Sequence, residues 1–327
     1  MIFKCCEWAL YHLVINPDDL TYCCASFDKK LTFIENYHGE LIDINKYLEA
    51  RKNYIERCKR GDFPDQCREC PTLEERDWDE TAGFIDVSVS NRTKCSCDCI
   101  YCIISGGGNS EAKKKLNSKQ TYEVKPVLQQ LKDAGLFKNG CHFIIGGGEC
   151  AEYPNGELQW LIDFIFSING SIEFLSAGIT YSESIKKALE AGEAKLKVSV
   201  DAGTKQTYEK IKRVKGFDKV WKNLKNYIKA SKKNPKSSVV IKYIIIPGIN
   251  DNLKEAKEFI KNCKKAGCLS IEINVEFYWM NENFNKPISD SLKQTLLYFN
   301  SLKQENVYFS SNISSHIKSW LSVNIGN

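Results

Sequence analysis

From residue 84 onward the chain alternates two patterns. Short β-branched and apolar runs give way to longer stretches whose apolar residues recur every three or four positions. FIDVSVS (84–90), HFIIGGGE (142–149), IEFLSAGIT (172–180), KLKVSVDAG (195–203), VVIKYIIIPG (239–248) and LSIEINVEF (269–277) read as strands. The stretches YEVKPVLQQLKDAG, ELQWLIDFIFSI, SESIKKALEAG, a long run to about Lys233, LKEAKEFIKNCKKAG and SDSLKQTLLYFNSLKQ read as the helices behind them. Three of these helices stop at Gly135, Gly192 and Gly267, where glycine accepts a left-handed cap. Six β-then-α units in a row demand parallel strands, because a helical crossover returns the chain in the same direction. The strands look apolar on both faces, as a sheet buried under helices requires. The pattern predicts an α/β fold, a partial (β/α)6 TIM-like barrel over residues 81–310, with a doubly wound sheet as the alternative.

Either fold puts function at the carboxyl ends of the strands. The cysteine-rich stretch KCSCDCIYC, then GGGE, SAG, SVDAG and PGIND, all fall there. Residues 1–80 follow another pattern. WALYHLVINPDDLTYCC reads as a hairpin turning at NPDD. A helix is expected from Asp43 to Arg60, with Ile44, Tyr47, Leu48, Ile55 and Cys58 on one face and Cys58 as a core cysteine. FPDQCRECP then adds a tight Cys-x-x-Cys, and LEERDWDE reads as an acidic connector to the barrel. Residues 1–80 are thus expected to form a small cysteine-rich domain, and the Ser/Asn-rich residues 311–327 a loose carboxy-terminal tail.

Composition narrows the chemistry. With 43% hydrophobic residues, 27% charged residues and a net charge of +5 spread over helical stretches, the chain reads as an ordinary globular protein without a nucleic-acid footprint. Neither a secretory signal nor an apolar run long enough to span a membrane is present, so a cytoplasmic location is expected. Cysteine is the outlier: fifteen in the chain, eleven of them before residue 103. Without an export signal, that number points to metal or redox chemistry rather than disulfides. The four histidines follow no ligand spacing and read as incidental.

Cys95, Cys99 and Cys102 have the spacing C-x3-C-x2-C, which suits three corners of an iron–sulfur cubane and leaves one iron open. Cys97 breaks the spacing and is expected not to ligate. The same loop puts Tyr101 before the last cysteine, and Gly147-Gly148-Glu149 follows one strand later. In this combination the chain resembles the radical S-adenosylmethionine (radical SAM) enzymes. The resemblance implies that Cys95, Cys99 and Cys102 ligate a [4Fe–4S] cluster whose fourth iron is chelated by SAM. It implies that Gly147, Gly148 and Glu149 contact the methionine amino group, with Ser176 helping at the methionine end. Ser199 or Asp201 would hold the ribose and Tyr101 would lie near the adenine. The implied reaction is reductive cleavage of SAM to a 5′-deoxyadenosyl radical, which takes a hydrogen atom from the substrate, with a flavodoxin or ferredoxin as reductant. Cys150 stands where the family often has proline; it reads as a filler of a tight turn or as a hydrogen donor to a substrate radical.

The amino-terminal cysteines resemble the SPASM and Twitch extensions that hold auxiliary clusters in radical SAM maturases, although those usually follow the barrel. One of Cys5 or Cys6, one of Cys23 or Cys24, and Cys67 and Cys70 would make a second [4Fe–4S] site, with Cys6 and Cys24 preferred; structural zinc is the alternative. The extension points by analogy to a ribosomally made peptide as substrate, oxidised or epimerised, with a separate protein available for recognition. A sugar or other small metabolite is the alternative substrate. A non-catalytic zinc module pairing Cys67-x2-Cys70 with Cys99-x2-Cys102 leaves Cys95 and the rim glycines unexplained.

Overall fold

The computed structural model describes residues 2–22, 32–68, 70, 72–80, 83–102, 121–154, 156–268, 270–276, 287–310 and 315–324. Two compact units divide the chain: residues 1–93 with 118–173, and residues 94–117 with 174–327.

In the first unit, β1 (Ile2–Cys6) pairs antiparallel with β5 (Leu73–Asp77). The presumed acidic connector is therefore a strand. Its Trp78 explains why: the indole donates to the Phe3 carbonyl at 2.8 Å and packs with Phe3, Leu10, Tyr11, Ile55 and the buried Cys5 and Cys58. The helix Ile44–Lys59 contributes to that cluster, with Asp43 capping its start through the Lys46 amide at 3.1 Å. Tyr47, Ile55 and Cys58 face inward as expected, whereas Leu48 is exposed and Arg51 is buried in its stead.

The predicted hairpin is β2 (His12–Ile15) with β3 (Asp19–Thr21), and β4 (Thr32–Glu35) extends it. It does not stand apart. β2 pairs in parallel with β6 (Phe84–Val89), Leu13 opposite Val87 and Ile15 opposite Val89, so residues before 80 complete the edge of the main sheet. β6 in turn pairs in parallel with β7 (Phe137–Ile145). Val87, Val89, Phe143 and Ile145 are fully buried, as are Leu128 and Leu131 of helix Lys125–Asp133 and Leu161 and Ile165 of helix Glu157–Ser167.

β8 (Ser171–Ser176) straddles the division. The second unit continues with β9 (Ala194–Ser199), β10 (Ser238–Ile245), β11 (Ile271–Val275) and β12 (Val307–Phe309), neighbours in that order and parallel from β9 to β12. The fold is α/β with a mostly parallel sheet, as the alternation predicts, and among the described residues neither unit closes a barrel by itself. The expectation of two apolar faces needs correction. Leu196 and Val198 are fully buried, but Lys195, Lys197 and Ser199 alternate with them on a half-exposed face. There Glu272 receives Lys197 at 3.2 Å and Lys242 at 3.6 Å. The tail also differs: Ser315–Asn324 is a helix, because Ile317 and Leu321, one turn apart, find burial.

Candidate functional site

The loop after β6 carries Cys95, Cys97, Cys99 and Cys102, and its backbone is bonded to a helix end. The Asp98 amide donates to the Lys212 carbonyl and the Ile100 amide to the Ile211 carbonyl, both at 3.0 Å. Those carbonyls close the helix Lys205–Lys212, where no intrahelical donor remains, so loop and helix satisfy each other. The other end of this helix is equally fixed. Glu255 accepts from the Gly203 amide at 2.8 Å, the Thr204 hydroxyl at 2.6 Å and the Thr207 hydroxyl at 2.8 Å, a carboxylate where the helix dipole favours one. Gly203 permits the approach, since a Cβ there would lie 2.1 Å from the Glu255 carbonyl oxygen.

Within the loop, Cys97 is buried while Cys95, Cys99 and Cys102 are half-buried. The Cys97 amide donates to the Cys95 sulfur at 3.4 Å, and the Cys102 amide to the Cys99 carbonyl at 3.1 Å. A hydrogen bond from Cys97, helped by the charge of the Lys212 ammonium, holds the Cys99 thiol at about 6 against the opposing effect of burial, whereas hydrogen bonding to its neighbours and burial push Cys97 up. Cys97 thus differs from the three spaced thiols in burial while staying in contact with Cys95 and Cys99. Among the described residues no three His, Cys, Asp or Glu side chains converge on one ion. A cubane spreads its thiolates over separate irons, so three half-buried thiols on one loop, with Cys99 held readily ionised, fit such a cluster.

Beside the loop lies a buried polar knot. Asp201 follows β9 with a left-handed φ of 61°. Its Oδ1 accepts the Ile244 amide at 2.7 Å, and its Oδ2 takes the Lys212 ammonium at 2.5 Å and the Tyr101 hydroxyl. Lys212 also donates to the Tyr101 oxygen at 2.5 Å. Asn250 of PGIND donates to the carbonyls of Asp201 and Ile244, both at 2.8 Å, and so ties the ends of β9 and β10. Asp201, expected at the ribose, instead has both oxygens engaged inside the protein and no exposed surface. Tyr101 likewise commits its hydroxyl inward. Ser199, the last residue of β9, is half-buried and remains the ribose candidate; Ser176 closes β8 and accepts the Gly178 amide at 2.8 Å.

The Gly-Gly-Glu turn belongs to the first unit. Gly147 has φ of 87°, and a Cβ there would lie 2.7 Å from the Arg92 carbonyl; the Gly148 amide donates to the same oxygen at 2.7 Å. Glu149 is buried and accepts the Ala151 amide at 3.1 Å. Cys150 is completely buried, its thiol against Glu149 at 3.9 Å and pushed well up by burial. That placement fits the filler of a tight turn, not a donor facing a substrate.

One grouping escaped the sequence. His142 Nδ1 meets Asp86 Oδ1 at 2.7 Å and His12 Nε2 lies 3.7 Å from Asp86 Oδ2, a row in register across β2, β6 and β7. No spacing could reveal it, because sheet register brings the three together. The amino-terminal thiols also gather. Cys6 and Cys70 approach the Thr72 hydroxyl at 3.4 and 3.1 Å, and Tyr54 donates to Cys67 at 3.9 Å. Cys58 is buried in the core as expected, in one cluster with Cys5. Cys23 and Cys24 lie outside the described residues.

Comparison with known proteins bears on both the family and the fold. A profile of the Radical SAM superfamily matches residues 92–260. The molybdenum cofactor biosynthesis protein moc-5 of Caenorhabditis elegans is 26% identical over 172 residues, 49% of this chain and 27% of that protein. The mycofactocin maturase MftC of Mycobacterium tuberculosis is 24% identical over 148 residues, 45% of this chain and 35% of its own. The chain thus matches about a third or less of these relatives' lengths. Among solved structures, SuiB of Streptococcus suis bound to its precursor peptide SuiA aligns with a TM-score of 0.53 and 10% identity, over 84% of this chain and 65% of SuiB. SuiB bound to S-adenosylmethionine aligns at 0.52 and 13% identity, over 89% and 58%. These alignments bear on the fold.

Proposed function

Because the chain belongs to the radical SAM superfamily and is an enzyme of that class, we propose that it modifies a ribosomally made peptide through hydrogen-atom abstraction. The observation that carries the reading is the loop itself: three half-buried thiols at 95, 99 and 102, with Cys97 turned inward. Family membership implies a [4Fe–4S] cluster and SAM. When bound, they supply a one-electron cleavage of the sulfonium and a 5′-deoxyadenosyl radical. Cys95, Cys99 and Cys102 would hold the cluster. Gly147, Gly148 and Glu149 would receive the methionine amino group, the glycines by allowing close backbone approach and the carboxylate by offsetting an ammonium. Ser176 and Ser199 would serve the methionine and ribose ends.

The peptide assignment draws support from the names of MftC, a maturase, and of SuiB with its precursor peptide. A second reading, a small-metabolite substrate, draws on the match to moc-5, a cofactor-biosynthesis protein. An auxiliary cluster on Cys6, Cys67 and Cys70, with Cys24 as fourth ligand, is part of the first reading, and a flavodoxin or ferredoxin would supply the electron.

The test is an anaerobic assay of iron-reconstituted protein with SAM and dithionite, reading 5′-deoxyadenosine by mass spectrometry. Wild-type protein is expected to form it and Cys99→Ala to form none. About eight irons per chain would mark two four-iron clusters and about four would mark one. Deoxyadenosine formation that survives Cys99→Ala would overturn the ligand assignment.

A further inference from the structure

We propose that Lys212 is the positioning residue of the cysteine loop, a buried cation whose task is to hold Cys99 in place. The proposal rests on the reading of Cys95, Cys99 and Cys102 as cluster ligands. The geometry is unusual in that one residue grips the loop on both sides of a ligand. The carbonyl of Lys212 receives the Asp98 amide at 3.0 Å, and its ammonium reaches the Tyr101 hydroxyl at 2.5 Å. Cys99 lies between these two anchors, and the neighbouring Ile211 carbonyl holds Ile100 at 3.0 Å.

The ammonium is 1% exposed and its counter-ion Asp201 is 0% exposed. Burying an ion pair is expensive, and apolar side chains in place of both partners would fill the space at similar or lower cost. The charge therefore calls for a reason beyond filling. The ammonium answers both the Asp201 carboxylate and the Tyr101 oxygen and offsets the carboxylate's charge, and Asp201 is itself held in place by the Ile244 amide at 2.7 Å and backed by Asn250. The chain of contacts runs from a braced strand end, through Asp201 and Lys212, to the loop. Helix Lys205–Lys212 cannot slide to relieve it, because Glu255 and Thr204 fix its other end. Lys212 thus transmits the rigidity of the sheet to three thiols that would otherwise sit on a loop without regular structure. The loop is shaped before any cluster arrives, which lowers the ordering cost of binding one.

The test compares full-length wild type, Lys212→Met and the double variant Asp201→Asn/Lys212→Met. Each is freed of metal and pulsed with iodoacetamide under argon, and alkylation is mapped by peptide mass spectrometry. Cys97 reports loop order because it is 4% exposed in the closed loop; Cys263, 0% exposed in the same unit, reports global unfolding. Labelling of Cys97 is expected to rise about tenfold or more in both variants while Cys263 stays protected. Iron retained after anaerobic reconstitution is expected to fall alongside. Unchanged Cys97 labelling in Lys212→Met overturns the proposal. So does a parallel rise at Cys263, which would make Lys212 a general stability residue. Closure restored in the double variant also overturns it, since charge neutrality alone would then suffice. Cys99→Ala runs beside them: if it keeps the iron of the wild type, the ligand reading fails while the labelling result stands.

Discussion

At the scale of single residues, ionisation at the two polar groupings follows from what each side chain touches. Cys99 is held at about 6, well below the ordinary thiol value of 9.0, first by the hydrogen bond from Cys97 and then by the Lys212 ammonium. Alkylation of Cys99 in the metal-free protein should therefore rise with a midpoint near pH 6, and the Lys212→Met profile should move toward the ordinary thiol range. His12 moves the other way for a base: burial lowers it below 6.5, and Asp86 only partly opposes that. A base with a lowered folded value binds its proton more readily when unfolded, so its contribution is present above pH 6.5 and is lost as pH falls through the lowered value. Thermal melts should shift down between pH 7.5 and 5.5, by less than about 1.4 kcal/mol per pH unit for one group. His12→Gln should flatten part of that slope; an unchanged slope would put the titration elsewhere.

At the scale of elements, the helix Lys205–Lys212 matters more than its eight residues suggest. Its start is capped by Glu255 and Thr204 and its end by the cysteine loop, so it couples the helix Leu253–Ala266 to the thiols. Gly203 is where this coupling tolerates least. Adding a methyl 2.1 Å from a backbone oxygen forces either the loop or helix Leu253–Ala266 to move. Gly203→Ala should cost about 2–4 kcal/mol in urea unfolding and reduce retained iron, whereas Gly135→Ala, with nothing near its Cβ, should cost about 1 kcal/mol through its positive φ alone.

At the scale of the whole molecule, the cysteine loop and Asp201 fall in one compact unit, and the Gly-Gly-Glu turn and the amino-terminal thiols in the other. The terminal helix Ser315–Asn324 belongs to the second unit and buries Ile317 and Leu321. Ending the chain after Ser310 should lower its stability by about 3–6 kcal/mol, the burial of two aliphatic side chains, and a calorimetric scan would show it. If the melt is unmoved, the helix does not contribute to the core.

What the sequence by itself determined is what local chemistry encodes. Alternating periodicities named six parallel strands and their helices, because a buried strand and an amphipathic helix each print their burial along the chain. The spacing of Cys95, Cys99 and Cys102, with Gly147 and Glu149 downstream, marked the family, because residues this close along the chain carry their spacing whatever the fold around them. Tertiary structure alone decided the rest. Asp201 looked like a ribose ligand until Lys212 and Tyr101 closed on it, and Lys212 had been one lysine among many on a helix. His12, Asp86 and His142 meet only through strand register, and β2 joins β6 across seventy residues of chain. Such contacts depend on which faces meet, a long-range fact that no window of sequence contains.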